Sequence, residues 1–122
     1  MANDIENLEP RSIVFDYDTA LNTAGRKPER LKRLVRAFMA DVPRRIEALS
    51  SALLRGDKQV AEREAHSLKG AAANLAAECL RGHAGEAESA CQSGDLSAAE
   101  KIVPVLSADF DELLTVLKPL AC

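Results

Sequence analysis

Apolar side chains recur at helical spacing along most of the chain, and no segment alternates apolar and polar residues convincingly as a strand does. The longest such pattern begins at Pro28, a residue suited to the first turn of a helix, and runs to about residue 56. Its steps of three, four and seven residues place one buried stripe on a helix. Pro43 lies inside this pattern and predicts a kink or a restart. The stripe consists of Leu31, Val35, Phe38, Val42, Leu49 and Leu53, with Ile46 nearby.

Three further segments repeat the helical pattern after residue 57. Gly56–Asp57 and Gly94–Asp95 read as turns in which glycine closes one helix and aspartate caps the next. The segment from about 77 to 93 is weaker, because Gly82 and Gly85 interrupt it. We expect Pro104 to bend the early part of the last segment. The apolar stripes are Ala61, Ala65, Leu68, Ala72 and Leu75 in the first segment, and Ala99, Val103, Leu106, Phe110, Leu113 and Leu117 in the last.

Short connections make these four segments antiparallel neighbours. The sequence therefore predicts an all-α fold, an antiparallel up-down-up-down four-helix bundle with a short additional N-terminal helix. That short helix is expected within residues 15–25, capped by Asp16 or Asp18 and closed by Gly25. Residues 1–12 read as a flexible tail, and residues 13–122 as one domain.

Composition narrows the class of protein. The chain has 122 residues, of which 47% are hydrophobic and 29% charged, and a formal net charge of −3, which gives no general sign of nucleic-acid binding. Basic residues cluster within 26–36, and acidic residues dominate after Glu78. These two groups form either two solvated faces or an electrostatic field that steers a charged partner. The odd set Cys79, Cys91 and Cys122 favours a reducing cytoplasm over a disulfide framework. No signal peptide or membrane segment is expected.

His66 lies on the polar face of the segment that begins near residue 58. At about 100° per residue, the apolar stripe falls on the opposite side of the helix, so the imidazole should be exposed to solvent. A neutral imidazole has one lone-pair nitrogen and is a competent nucleophile. Its own face carries Gln59, Glu62, Arg63, Lys69, Gly70 and Ala73.

Lys69 and Gly70 follow the histidine by one turn. The Lys69 ammonium should disfavour a protonated imidazole and attract an anion bound to the ring. Glycine inside a helix costs about 0.5–1 kcal/mol relative to alanine, and close approach of a partner, or else a helix–helix contact, explains its presence. Together these features suit a transient phosphohistidine.

The stretch AHSLKGAAANLAA resembles the A-H-x-L-K-G-x-x-x-x-x-G motif of the histidine phosphotransfer (Hpt) domain family. Upstream, FMADVPRRIEALSSAL is similar to the family's preceding helix, and SGDLSAA is similar to the turn into its last helix. The resemblance covers roughly residues 15 to 117. Two departures stand out: Ala76 replaces the usual motif glycine, and the third helix carries small residues where leucine and cysteine are common.

The resemblance implies a bundle with one exposed phosphoacceptor, Nε2 of His66. Such domains receive a phosphoryl group from the aspartate of one receiver domain and pass it to another in a multistep relay. Lys69 would stabilise the phosphoryl charge, and Gly70 would leave room for the receiver. The expected docking face consists of Glu62, Arg63, Gly70, Ala73 and Asn74 around the histidine.

Motifs for nucleotide and magnesium binding are absent from the sequence. The sequence shows no phosphate-binding glycine loop and no acidic cluster suited to magnesium. We therefore expect a phosphocarrier without its own kinase or ATP site, with no cofactor, and with Mg²⁺ only on the partner receiver domain. The expected partners are receiver domains of response regulators or a hybrid histidine kinase, without nucleic acid, for a cytoplasmic monomer.

Three other interpretations are compatible with the sequence. Cys79 and His83 stand four residues apart and could begin a metal site. The basic cluster within 26–36 could bind nucleic acid, although it lacks interleaved aromatic residues. The bundle could also dock receivers as a non-phosphorylated scaffold or decoy.

Overall fold

The computed structural model describes residues 14–122, and the chain forms five helices in that range. They are α1 (Tyr17–Thr23), α2 (Pro28–Arg55), α3 (Lys58–Asn74), α4 (Glu78–Gln92) and α5 (Leu96–Ala121). The part of the chain from 14 to 122 contains no strand. The tail expected at residues 1–12 lies outside the described residues.

The four long helices close into a four-sided bundle. Each packs against the next along the chain, and α2 packs against α5 to complete the ring. The connections are two or three residues long, so successive helices run antiparallel. The short helix α1 makes a small contact with α2. The predicted all-α bundle with an additional N-terminal helix is confirmed.

Aspartate side chains begin three of the five helices. Asp16, Asp57 and Asp95 each accept a hydrogen bond from the backbone N–H three residues later, at 3.2, 3.2 and 3.0 Å. These bonds satisfy N–H groups that have no partner inside the helix. Gly56 and Gly94, with φ of 72° and 82°, end the preceding segments in the left-handed region. Of the two aspartates considered for the short helix, Asp16 is the cap.

The prolines inside the long helices do not end them. Helix α2 runs without a break past Pro43, so the predicted restart does not occur. Helix α5 contains Pro104 and Pro119 and continues to Ala121, beyond the predicted end near Leu117. All three prolines are exposed, so water can reach the backbone carbonyls that each ring leaves without an N–H partner. The buried stripe continues on both sides and holds each helix together.

The predicted apolar stripes form the core, with one exception. The six predicted stripe residues of α2 and the nearby Ile46 are buried, and so are the four predicted residues of α3 and Leu75, which follows its last turn. Phe38 of α2 meets Phe110 of α5 with ring centroids 6.2 Å apart. Val103 is only partly buried and packs at the edge of the core. One charged residue shares the interior: Glu88 of α4 is 8% exposed.

A polar network fixes α3 against α2. Arg45 Nε donates to Asp41 Oδ2 at 2.7 Å within α2, and its Nη1 donates to Glu64 Oε1 of α3 at 3.2 Å. The guanidinium therefore places residue 45 level with residue 64. Since His66 follows Glu64 by two residues, this contact sets the height of the histidine along the bundle.

The α3–α4 corner contains an alanine in an unusual backbone conformation. Ala76 has φ of 54°, in the left-handed region that favours glycine. Its N–H donates to Ala73 O at 3.1 Å, and the N–H of Ala77 donates to Ala72 O at 2.9 Å. These are the two bonds of a Schellman motif, which explains the conformation. The Asp16 N–H also donates to Ala76 O at 3.2 Å and ties the N-terminal segment to the corner.

Replacing Ala76 by glycine tests the strain at this corner. Ala76→Gly removes a buried methyl group, worth about 0.8 kcal/mol, but relieves a left-handed conformation that costs about 1–2 kcal/mol in an L-residue. We expect its free energy of unfolding in urea to stay within about 1 kcal/mol of the parent. The control Ala72→Gly removes an equally buried methyl from the interior of α3 and should lose about 2 kcal/mol. Equal losses in the two variants would contradict a strained Ala76.

Candidate functional site

The imidazole of His66 stands on the surface of α3. Its side chain is 68% exposed, on the face opposite the buried stripe that contains Ala65, Leu68 and Ala72. The helical pattern alone predicts this position. The side chain is anchored to a helix in the middle of its length, so only the ring rotamer has to be fixed by contacts.

Glu88 of α4 fixes that rotamer. His66 Nδ1 lies 2.8 Å from Glu88 Oε2. Because an ionised carboxylate can only accept, Nδ1 carries the proton in this contact. The neutral ring then has its lone pair on Nε2, which makes no hydrogen bond within residues 14–122. The pairing leaves the nucleophilic nitrogen open to solvent.

Lys69 binds the other oxygen of the same carboxylate. Its Nζ lies 2.7 Å from Glu88 Oε1, so the ammonium contacts Glu88 rather than the imidazole. The Lys69 ammonium, and after it the His66 ring, hold the pKa of the Glu88 carboxyl below its usual range, against the opposing effect of burial. Glu88 is thus a charged carboxylate shared by two donors on α3.

Two glycines border this cluster and differ in what surrounds them. A Cβ added to Gly70 would meet nothing within 4 Å, so no helix–helix contact explains this glycine. A Cβ added to Gly85 of α4 would lie 3.5 Å from Lys69 Cδ. The lysine stem therefore passes over Gly85 on its way to Glu88. Ala73 and Asn74 are exposed beyond Gly70 and continue an open surface.

A shallow depression of about 450 Å³ lies beside the ring. Arg63 and Glu62, which precede the histidine by one turn, form part of its wall, and Gln92 Nε2 donates to Glu62 Oε2 at 3.3 Å. The depression is lined by Gln59, Glu62, Arg63, His66 and Glu88. The structure thus brings Glu62 and Arg63 next to the histidine, as the sequence predicts.

Comparison with known proteins identifies the class to which this arrangement belongs. The sequence model described as "Hpt domain" matches residues 33–116, more than half of the chain. The chain belongs to the Hpt domain family.

A solved structure supports the same conclusion. The crystal structure of histidine-containing phosphotransfer protein B (HptB) from Pseudomonas aeruginosa PAO1 is similar to this Hpt domain, with a TM-score of 0.82 and 25% sequence identity. The similarity covers 88% of this chain and 94% of that chain. No curated protein sequence matches significantly. The protein has a histidine-containing phosphotransfer role in two-component relays, and Hpt domains act there as phosphocarriers that interact with receiver domains and kinases.

The second histidine of this Hpt domain has a different setting. His83 Nδ1 lies 2.5 Å from Asp109 Oδ2 of α5, with the imidazole 31% exposed. Among residues 14–122, no three histidine, cysteine or acidic side chains come together as a metal-binding group. The considered Cys79–His83 pair therefore lacks a third ligand in this part of the chain.

The basic cluster lies away from His66. Arg36 Nε donates to Ala121 O at 2.7 Å, so the cluster borders the C-terminal end of α5. Nine residues of α2, about 14 Å, separate Arg36 from Arg45 near the histidine's level. That exceeds the Debye length of about 8 Å at physiological salt, so steering from this cluster is strongly screened. Of the helices between residues 14 and 122, none has the length and apolar character needed to span a bilayer.

Glu88 is the site residue that the sequence analysis missed. A signal was present, because Glu88 follows the buried Ala84 by four residues and precedes the buried Cys91 by three. An acid at such a position needs a partner. In the sequence, Gly85 reads only as an interruption of the helical pattern, whereas in the structure its missing side chain leaves space for the Lys69 stem.

Removing the charge of Glu88 should change how stability depends on pH. The folded pKa of Glu88 is lowered, so its ionised form stabilises the fold above the unfolded-state pKa, and this contribution is lost as pH falls through the folded pKa. We expect Glu88→Gln to lower the free energy of unfolding by about 1–2 kcal/mol at pH 7. In urea unfolding, the difference between the two proteins should begin to shrink as pH falls below the ordinary glutamate pKa of about 4.3, and it should disappear only below the folded pKa of Glu88.

The matched control is Glu86→Gln, an exposed glutamate on the same helix. It should change the free energy of unfolding by less than about 0.5 kcal/mol at either pH. A loss in Glu88→Gln that is the same at pH 7 and pH 3.5 would argue against an ionic role for Glu88.

Proposed function

We propose that Nε2 of His66 is the phosphoacceptor of this Hpt domain and relays a phosphoryl group between receiver aspartates. The observation that carries this proposal is the exposed ring whose Nδ1 donates to Glu88 while Nε2 has no hydrogen-bond partner among residues 14–122. Lys69 binds the other oxygen of the Glu88 carboxylate and keeps this group ionised. Glu62 and Arg63 line the depression beside the ring, and Gly70, Ala73 and Asn74 are exposed farther along α3; together these five residues form the receiver-docking face.

The transfer step uses the lone pair of Nε2. This pair attacks the phosphorus of an aspartyl phosphate, a nitrogen–phosphorus bond forms, and the bond from phosphorus to the aspartyl oxygen breaks, with its electron pair going to that carboxylate. The ring retains its Nδ1 proton and becomes positively charged as the bond forms. The Glu88 carboxylate, 2.8 Å from Nδ1, stabilises this charge. The reverse step returns the phosphoryl group to another aspartate.

The proposal includes the source of the phosphoryl group, the location of the metal ion and the oligomeric state. The chain acts without its own ATP site, and the receiver supplies Mg²⁺ together with its acidic pocket. It works in the cytoplasm. It works as a monomer, because one exposed histidine face is sufficient for docking a single receiver. A docking scaffold without phosphorylation would have no need of a fixed imidazole tautomer, which favours the phosphocarrier.

His66→Gln tests the acceptor. After incubation with a phosphorylated receiver domain, the parent should carry an acid-labile, base-stable label and His66→Gln none, because the amide has no comparable nucleophilic nitrogen. Its free energy of unfolding should fall by less than about 1 kcal/mol, since the ring is exposed and only one hydrogen bond changes. The control His83→Gln should keep the label. Label on His66→Gln, or a large loss of stability, would refute this assignment.

Gly70→Arg tests the docking face. The new side chain would project into open space beside His66 and obstruct the receiver, so the rate of transfer from a phosphorylated receiver should fall at least about tenfold, or 1.4 kcal/mol. Helicity by circular dichroism should stay unchanged, because arginine is a better helix former than glycine. Gly82→Arg is the matched control, since a Cβ at Gly82 also meets nothing within 4 Å but lies on α4. Equal rates in the two variants would contradict the assigned docking face.

A further inference from the structure

A phosphoryl group on His66 needs a cation, and Lys69 is already engaged. The group carries close to two negative charges at neutral pH. The Lys69 ammonium lies 2.7 Å from Glu88 Oε1, and Glu88 is 8% exposed. Moving Lys69 to the phosphoryl oxygens would break its contact with a nearly buried carboxylate and leave the His66 ring as the remaining partner of Glu88, which is unfavourable.

Arg63 is an uncommitted cation next to the ring. It precedes His66 by three residues, so the two side chains are neighbours on one face of α3. Both line the same depression of about 450 Å³. Within residues 14–122, no ion pair or hydrogen bond engages the Arg63 guanidinium. In this part of the chain, its donors can therefore turn to a new ligand without breaking a contact.

The direction of helical side chains favours this pairing. Side chains on a helix lean toward its N-terminus, so the His66 ring covers the turn that contains Arg63 rather than the turn that contains Gly70. The guanidinium has a planar fork of donors that matches phosphate oxygens. Lys69 does not line the depression.

Two acids share the depression and show why a cation is required there. Glu62 Oε2 accepts from Gln92 of α4, and Glu88 is held by Lys69 and His66. Neither carboxylate is paired with Arg63. A phosphoryl group entering beside them meets two negative charges, and Arg63 offsets this repulsion.

We propose that Arg63 contacts the phosphoryl oxygens of phosphorylated His66 while Lys69 remains on Glu88. This inference rests on the proposed function of His66. It assigns Arg63 to the phosphoryl group itself, in addition to the docking face. The role requires no receiver, so it can be measured in the isolated protein.

The experiment uses phosphoramidate as a small phosphoryl donor. The Nε2 lone pair attacks its phosphorus, the nitrogen–phosphorus bond of the donor breaks, and the electron pair and the donor's proton leave with ammonia. The parent, Arg63→Ala and Arg63→Lys are compared by rate of labelling at His66. Phosphorus NMR then follows the titration of the phosphoryl group on each labelled protein.

Arg63→Ala should label about tenfold more slowly, a smaller loss than for a buried donor because the site is exposed. Its phosphoryl group should titrate at higher pH than in the parent, since the cation that favours the dianion is missing. Arg63→Lys should restore the titration in part. The control Arg55→Ala makes the same charge change at an exposed arginine of α2 that pairs with Asp57 at 3.6 Å, and should match the parent in both measurements.

The outcomes separate this inference from the proposed function. Failure of the parent to label at His66 would refute the proposed function, and the inference with it. Labelling of the parent at His66 with an unchanged rate and titration in Arg63→Ala would overturn the inference alone. An effect of Arg63→Ala only on transfer from a receiver domain would assign Arg63 to docking and would also overturn it.

Discussion

The functional surface of this Hpt domain depends on one carboxylate shared by two donors. Glu88 accepts from His66 Nδ1 at 2.8 Å and from Lys69 Nζ at 2.7 Å. The first contact selects the imidazole tautomer, and the second keeps the carboxylate ionised although it is mostly buried. Neither contact alone suffices, because a protonated Glu88 would be a weaker acceptor and an unpaired one would be unfavourable in the interior. Helices α3 and α4 therefore have to meet in one particular register.

Small side chains make this register possible. Helix α4 presents Ala84 and Ala87 to the interior, and both are fully buried. With methyl groups at the interface, the two helix backbones approach closely, and Glu88 comes within reach of α3. Gly85 also lacks a bulky side chain, and the Lys69 stem crosses α4 at this residue. The small residues of α4, a departure from the family pattern, thus fit the placement of the Glu88 carboxylate beside α3.

The sequence predicted the fold well because the fold depends on local and periodic signals. Aspartate caps, glycine turns and apolar stripes each act within one or two helical turns, and they locate four long helices within a few residues. Two features could be predicted only from the packed structure, not from the sequence. The buried stripe holds α2 together across Pro43, which proline chemistry alone does not show. The partner of His66 depends on which residue of α4 faces it, and that register is set by packing between helices and by the left-handed Ala76 at the corner. Exposure of His66 was predictable, whereas its contact with Glu88 was not.

The position of the histidine at the middle of helix α3 has a consequence for signalling. With 68% of its side chain in solvent, His66 has no gate over it in the part of the chain from 14 to 122. In the proposed relay, the step from aspartate to His66 and its reverse would use the same exposed face, so the bundle itself would favour neither direction. Net flux through such a carrier is then governed by mass action: by the abundance of charged and discharged partners and by their group-transfer potentials.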